Sequence, residues 1–103
     1  MMNKIDADPE HLKIVKKILA ALLPASAKVW VFGSRVTGTA KPYSDLDLVV
    51  EAEHPLSLGT MAKLADAFDE SNLPYKIDVV DWHAMNESFR DSIKKQRVLL
   101  NHI

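Results

Sequence analysis

Two short apolar runs constrain this chain more than any other feature, because each carries a chemically distinctive end. Val29–Phe32 stops at Gly33-Ser34. The second run follows Asp45, takes in Asp47, and continues through Leu48, Val49 and Val50. Ten residues separate Ser34 from Asp45, and among them are Gly38, Pro42 and Ser44, residues that favour turns. Short apolar runs bounded by such residues read as buried strands. A glycine-serine turn and a carboxylate pair are therefore tied to fixed points of one sheet.

The other elements read as support for that stretch. Asp8 can cap a helix that Pro9 opens and Pro24 ends, with Leu12, Val15, Ile18, Leu19, Leu22 and Leu23 on one buried stripe. The first strand is expected at Lys28–Phe32, with a short helical turn from Ser34, and the second strand at Leu46–Glu51. Ser57 can cap a helix over Leu58–Ser71 whose buried face is Leu58, Met61, Leu64, Ala65 and Phe68. A third strand is expected at Tyr75–Val80. Asn86 can cap a last helix, Glu87–Gln96, with Phe89 and Ile93 inward, and Val98–Leu100 can form an edge strand. The order predicts an α/β fold: a small mixed β-sheet of three to four strands with helices packed on one face. A short link favours antiparallel pairing of strands one and two. A helical crossover favours parallel pairing of strands two and three.

Composition narrows the function. The 103 residues suffice for one domain, taken as residues 1–103, and leave little material for a separate substrate lobe. Thirteen basic and fourteen acidic residues give a net charge of −1, which argues against non-specific nucleic-acid binding. With no cysteine there is no disulfide framework or thiolate metal site. Lys16-Lys17 followed by Ile18–Leu23 faintly mimics a signal peptide, but Asp6, Asp8 and Glu10 precede it, and an amphipathic helix explains it better. No apolar run is long enough to span a membrane, so a cytoplasmic globular protein is expected. His11, His54, His83 and His102 show no metal-ligand spacing and read as surface or capping residues.

Side chains alternate across a strand. Asp45 and Asp47 should therefore share one face, with Leu46, Leu48 and Val50 on the other. Asp78, between Ile77 and Val79, joins the acids if strands two and three are neighbours in register. Two carboxylates ~5 Å apart repel by about 3 kcal/mol at an effective dielectric of 20. Such a cluster calls for protonation or for divalent cations, and oxygen ligands suit Mg²⁺ or Mn²⁺. Gly33 allows close backbone approach, and the amides after it, with the Ser34 hydroxyl, can donate to phosphate oxygens. Each feature alone has a plainer reading: a common turn, a strand start at Ser44-Asp45, a strand-end acid at Asp78. Together they describe a nucleoside triphosphate site. Trp30 and Phe32 either face the nucleotide side or pack in the core. Trp82 either packs on the last helix or meets a partner.

Gly33-Ser34, ten residues, then Asp45-x-Asp47 resembles the signature of the DNA polymerase β nucleotidyltransferase superfamily. GSRVTGTAKPYSDLDLVV, KIDVVDW and NESFRDSIKKQRVLL resemble its minimal nucleotidyltransferase (MNT) branch over nearly the whole chain. The resemblance implies that Asp45, Asp47 and Asp78 are catalytic and bind metal, with Asp78 helping to activate the acceptor hydroxyl. It implies that Gly33 and Ser34 hold the β/γ phosphates, with Arg35 as a further nucleotide-binding residue. Lys41 matches a basic position of the loop but reads better as a surface cation. MNT proteins are commonly paired with a HEPN-domain ribonuclease toxin, and some attach AMP from ATP to its tyrosine. The expectation is thus a Mg²⁺- or Mn²⁺-dependent antitoxin adenylyltransferase with a HEPN partner. The alternatives are an antitoxin that only covers its partner and transfer to a small-molecule acceptor, whose enzymes usually carry an added domain.

Overall fold

Helix starts follow the capping chemistry. Asp8 Oδ1 accepts from the Glu10 amide at 2.8 Å, Ser57 Oγ from Thr60 at 3.0 Å and Asn86 Oδ1 from Phe89 at 2.8 Å. In this computed structural model, which describes residues 4–102 with side chains as far as residue 100, α1 is Pro9–Leu22, α3 is Leu58–Glu70 and α4 is Glu87–Lys94. A single turn, α2 (Ser34–Thr37), follows β1 (Lys28–Phe32). The other strands are β2 (Leu46–Glu51), β3 (Ile77–Asp81) and β4 (Val98–His102).

The strands form one sheet in the order β3-β2-β1-β4. β1 is antiparallel to β2 and β4, and β2 is parallel to β3. Both expected pairings are present, because a helix must carry the chain back between parallel neighbours. α1 and α3 cover one face. Val15, Leu19 and Leu64 meet Val29, Val31, Leu46, Leu48 and Val50 there, all without exposed surface.

The opposite face holds more than the sequence suggested. The helices do not stop at one side: α4 lies across this face, where Ile93 packs with Val49, Trp82, Trp30 and Phe32. Trp30 and Phe32 thus both face the acid side and pack. Trp82 is buried under α4, the first of its two expected roles. Within the helices three expectations are corrected. Leu58 is 90% exposed, Ala65 is exposed and Phe89 is 46% exposed. Leu58 is the first residue of α3, and the buried residues of that helix are Leu64 and Phe68. β3 begins at Ile77, two residues later than expected, because Tyr75 is engaged by side chains rather than by the ladder.

Candidate functional site

β2 and β3 place the acids. Asp47 is the register partner of Asp78, and Asp45 immediately precedes β2. Asp45 and Asp78 are exposed and Asp47 is half-buried. Burial raises the Asp47 carboxyl above its ordinary range, and the charges of Asp78 and then Asp45 push it further. The three acids are therefore electrostatic neighbours. They do not form a closed cage: among the described residues, no three His, Asp or Glu side chains converge tightly enough to hold an ion by themselves. The register on which the joining of Asp78 to Asp45 and Asp47 depended is present. Unneutralised like charges have every reason to stay apart, and two of these carboxylates are free to point into water. The donor set still fits Mg²⁺ or Mn²⁺. Mg²⁺ is usually held by one or two carboxylates plus substrate phosphates rather than by an all-protein cage.

The glycine turn abuts the same acids. Gly33 has φ 78° and ψ −156°, a region essentially restricted to glycine. A methyl group on it would overlap Asp47 Oδ2. The Gly33 carbonyl accepts from Val36 and Thr37, both at 3.1 Å, which starts α2. The half-buried Ser34 follows directly. Gly33, Ser34, Asp45, Asp47 and Asp78 are thus brought to one corner of the sheet.

Arg35 is not. Its side chain is 4% exposed and turned into the structure. Nε donates to the Ser44 carbonyl at 3.0 Å, Nη1 to Asp6 at 2.7 Å, and Nη2 to Ser44 and Pro42 at 2.8 and 3.1 Å. The guanidinium also lies 4.0 Å from the centre of the Tyr75 ring. The expectation of a nucleotide contact is corrected for this side chain: its donors are taken by loop carbonyls, and it sets the path of the residues leading into Asp45. Lys41 is exposed at the start of that turn, as a surface cation would be.

The histidines stand apart from the acids. His11 Nδ1 is 3.2 Å from the Tyr75 hydroxyl, His83 Nε2 is 2.7 Å from the Ala52 carbonyl, and His54 is exposed. The side chain of His102 lies outside the described residues. Sequence reasoning missed Gln96, whose Oε1 accepts from the Gly33 amide at 2.8 Å. The one available signal was the short link from α4 to β4, which carries residue 96 to the end of β1.

The family model of the nucleotidyltransferase domain matches residues 12–100. This chain belongs to the nucleotidyltransferase family. It is 46% identical over 97 residues to a probable protein adenylyltransferase, MntA, of Haemophilus influenzae, covering 94% of this chain and 84% of that one. A toxin–antitoxin structure with AMP-PNP superposes with a TM-score of 0.74 at 25% identity, covering 89% of this chain and 73% of the other. The fold is also that of a chain in the complex of tri-AMPylated Shewanella oneidensis HEPN toxin with MNT antitoxin. There the TM-score is 0.69 at 22% identity, over 91% of this chain and 71% of the other. The nucleotidyltransferase fold therefore carries the turn and acids described above. Among the described residues of this nucleotidyltransferase, no helix is long and apolar enough to cross a membrane.

Proposed function

We propose that the chain transfers AMP from ATP to a tyrosine hydroxyl of a HEPN-domain toxin and serves as its antitoxin. The observation that carries this is the contact between the two halves of the site, with Gly33 pressed against Asp47 and Asp47 in register with Asp78. The likeness to MntA supports adenylyl transfer to a protein. The likeness to a toxin–antitoxin chain with AMP-PNP supports ATP as the donor.

Asp45, Asp47 and Asp78 would hold Mg²⁺ or Mn²⁺, which when bound offsets phosphate charge and polarises the phosphoryl oxygens. The Ser34 hydroxyl and the first amides of α2 donate to the outer phosphates and orient the triphosphate. Asp78, exposed at the outer strand, accepts the proton of the incoming hydroxyl. The hydroxyl oxygen bonds to the α-phosphorus, the bond to the bridging oxygen breaks, and pyrophosphate leaves. Aligning the two reactants is itself a large part of the rate gain.

Incubating the chain with ATP, Mg²⁺ and a HEPN-domain toxin offered as its partner, then weighing that toxin, tests the proposal. Addition of AMP in the wild type and none with Asp47→Asn is the expected result. A partner that is bound and silenced at unchanged mass would overturn transfer and leave simple covering.

A further inference from the structure

The conformation of Gly33 raises a question that glycine alone does not answer. Glycine permits φ 78° but equally permits many other states, so something else must select this one. The amides of Val36 and Thr37 donate to its carbonyl, and two further groups bear on its Cα and its N–H. Asp47 closes off its Cα side, and Gln96 Oε1 accepts its N–H at 2.8 Å.

The origin of the second contact is visible in the sheet. β1 and β4 pair Trp30 with Leu99 and Val31 with Val98. Continuing that register by two residues brings Gln96 opposite Gly33. The backbone ladder has ended there, since β4 begins at Val98. The side-chain carbonyl of Gln96 supplies the acceptor that the next rung would have supplied. Gln96 is itself well held. Its own N–H donates to the Ile93 carbonyl at 3.0 Å. Its neighbour Arg97 lies 3.9 Å from the Trp30 ring centre and 4.8 Å from that of Trp82. Arg97 also pairs with Glu51 at 3.4 Å.

We propose that Gln96 is a positioning residue for the phosphate turn: its side-chain carbonyl holds Gly33 in the conformation that aims Ser34 and seats Asp47. This rests on the nucleotide reading above. Gln96 touches neither phosphate nor acceptor in this role. It keeps the Gly33 amide occupied and leaves the amides beyond it to the ligand.

The test measures the Gly33 amide by NMR and the affinity for ATP with Mg²⁺ by calorimetry, in the wild type, Q96M, Q96A and Q96E. Q96M keeps the bulk of the side chain and loses the acceptor, while Q96E keeps the acceptor. In Q96M and Q96A the Gly33 amide should shift upfield and exchange faster. The Kd for ATP should rise about tenfold, the ratio that goes with one ordinary hydrogen bond. In Q96E the Gly33 amide should remain protected; its loss of protection in Q96M, where the bulk is kept, is what a packing role would not produce. If Q96M does not fold, Q96A carries the same comparison. Unchanged or tighter ATP binding in a folded Q96M or Q96A overturns the proposal, as does an unmoved Gly33 amide. A wild type that binds no ATP overturns this role and the nucleotide reading together. A wild type and Q96M that bind equally overturn the role of Gln96 alone.

Discussion

The two faces of the sheet are built on opposite terms. On the α1/α3 side, Val29, Val31, Leu46, Leu48 and Val50 are fully buried in a hydrophobic cluster. The buried acid at its margin, Asp81 beside Val50, is satisfied by the amides of Leu56 and His83. On the α4 side the sheet presents Trp30, Val49 and Val80 toward one end and Asp45, Asp47 and Asp78 toward the other, with Phe32 beside Asp47. The packed part of that face is itself half polar. Trp30 Nε1 donates to Glu51 at 3.0 Å, and Arg97 is stacked between two tryptophans. Strand alternation lets one sequence do both. Leu46, Leu48 and Val50 bring the stabilising burial, which leaves Asp45 and Asp47 free to be electrostatically unfavourable.

The contrast can be broken or sharpened by substitution. Leu48→Ala strikes the aliphatic face and should cost about 2–5 kcal/mol, read as a large fall in denaturant midpoint. A loss below about 1 kcal/mol would mean that this face does not carry the stability. Arg35→Met should cost roughly 2–4 kcal/mol, because the carbonyls of Asp6, Pro42 and Ser44 lose a buried donor. A variant of normal stability with weakened ATP binding would instead return Arg35 to the phosphates. Gly33→Ala should cost about 1–3 kcal/mol from the forbidden φ. It should lower ATP affinity as well, since the added methyl displaces Asp47.

Asp47 gives the smallest and most diagnostic effect. Its folded-state carboxyl titrates above the usual range, so the folded chain binds the extra proton more readily than the unfolded one. Without divalent cation, stability should therefore fall as pH rises from the ordinary carboxylate range through the raised value. Asp47→Asn removes that penalty. Its Tm should exceed that of the wild type at neutral pH, and the gap should close as pH drops. Equal Tm values across the whole range would show that the acids do not burden one another.

Much of this was legible in the residues. The bounds of β1 and β2, the caps Asp8, Ser57 and Asn86, and the parallel and antiparallel pairings follow from local chemistry that tertiary contacts did not override. Periodicity located the aliphatic face well because Leu and Val have little else to do. It failed at Leu58, the first residue of α3, and at Ala65, which lies between the buried Leu64 and Phe68 but off the stripe they define. Arg35 was misjudged for a different reason. A cation beside a phosphate turn looks like a ligand contact, and only the fold shows three loop carbonyls converging on it. Gln96 was invisible because its role depends on how far the β1–β4 ladder extends, and a one-residue change in register would remove it.

The most direct test of the acid corner is Mn²⁺ titration in the presence of ATP, followed by paramagnetic broadening across the amide spectrum. Selective loss of signals from residues 33–34, 45–47 and 78 is expected first, with residues of α1 and the buried positions of α3 staying sharp and the effect abolished by Asp47→Asn. Broadening centred on the α3 acids Asp66, Asp69 and Glu70, or spread evenly over the surface, would contradict a cation site at the glycine turn.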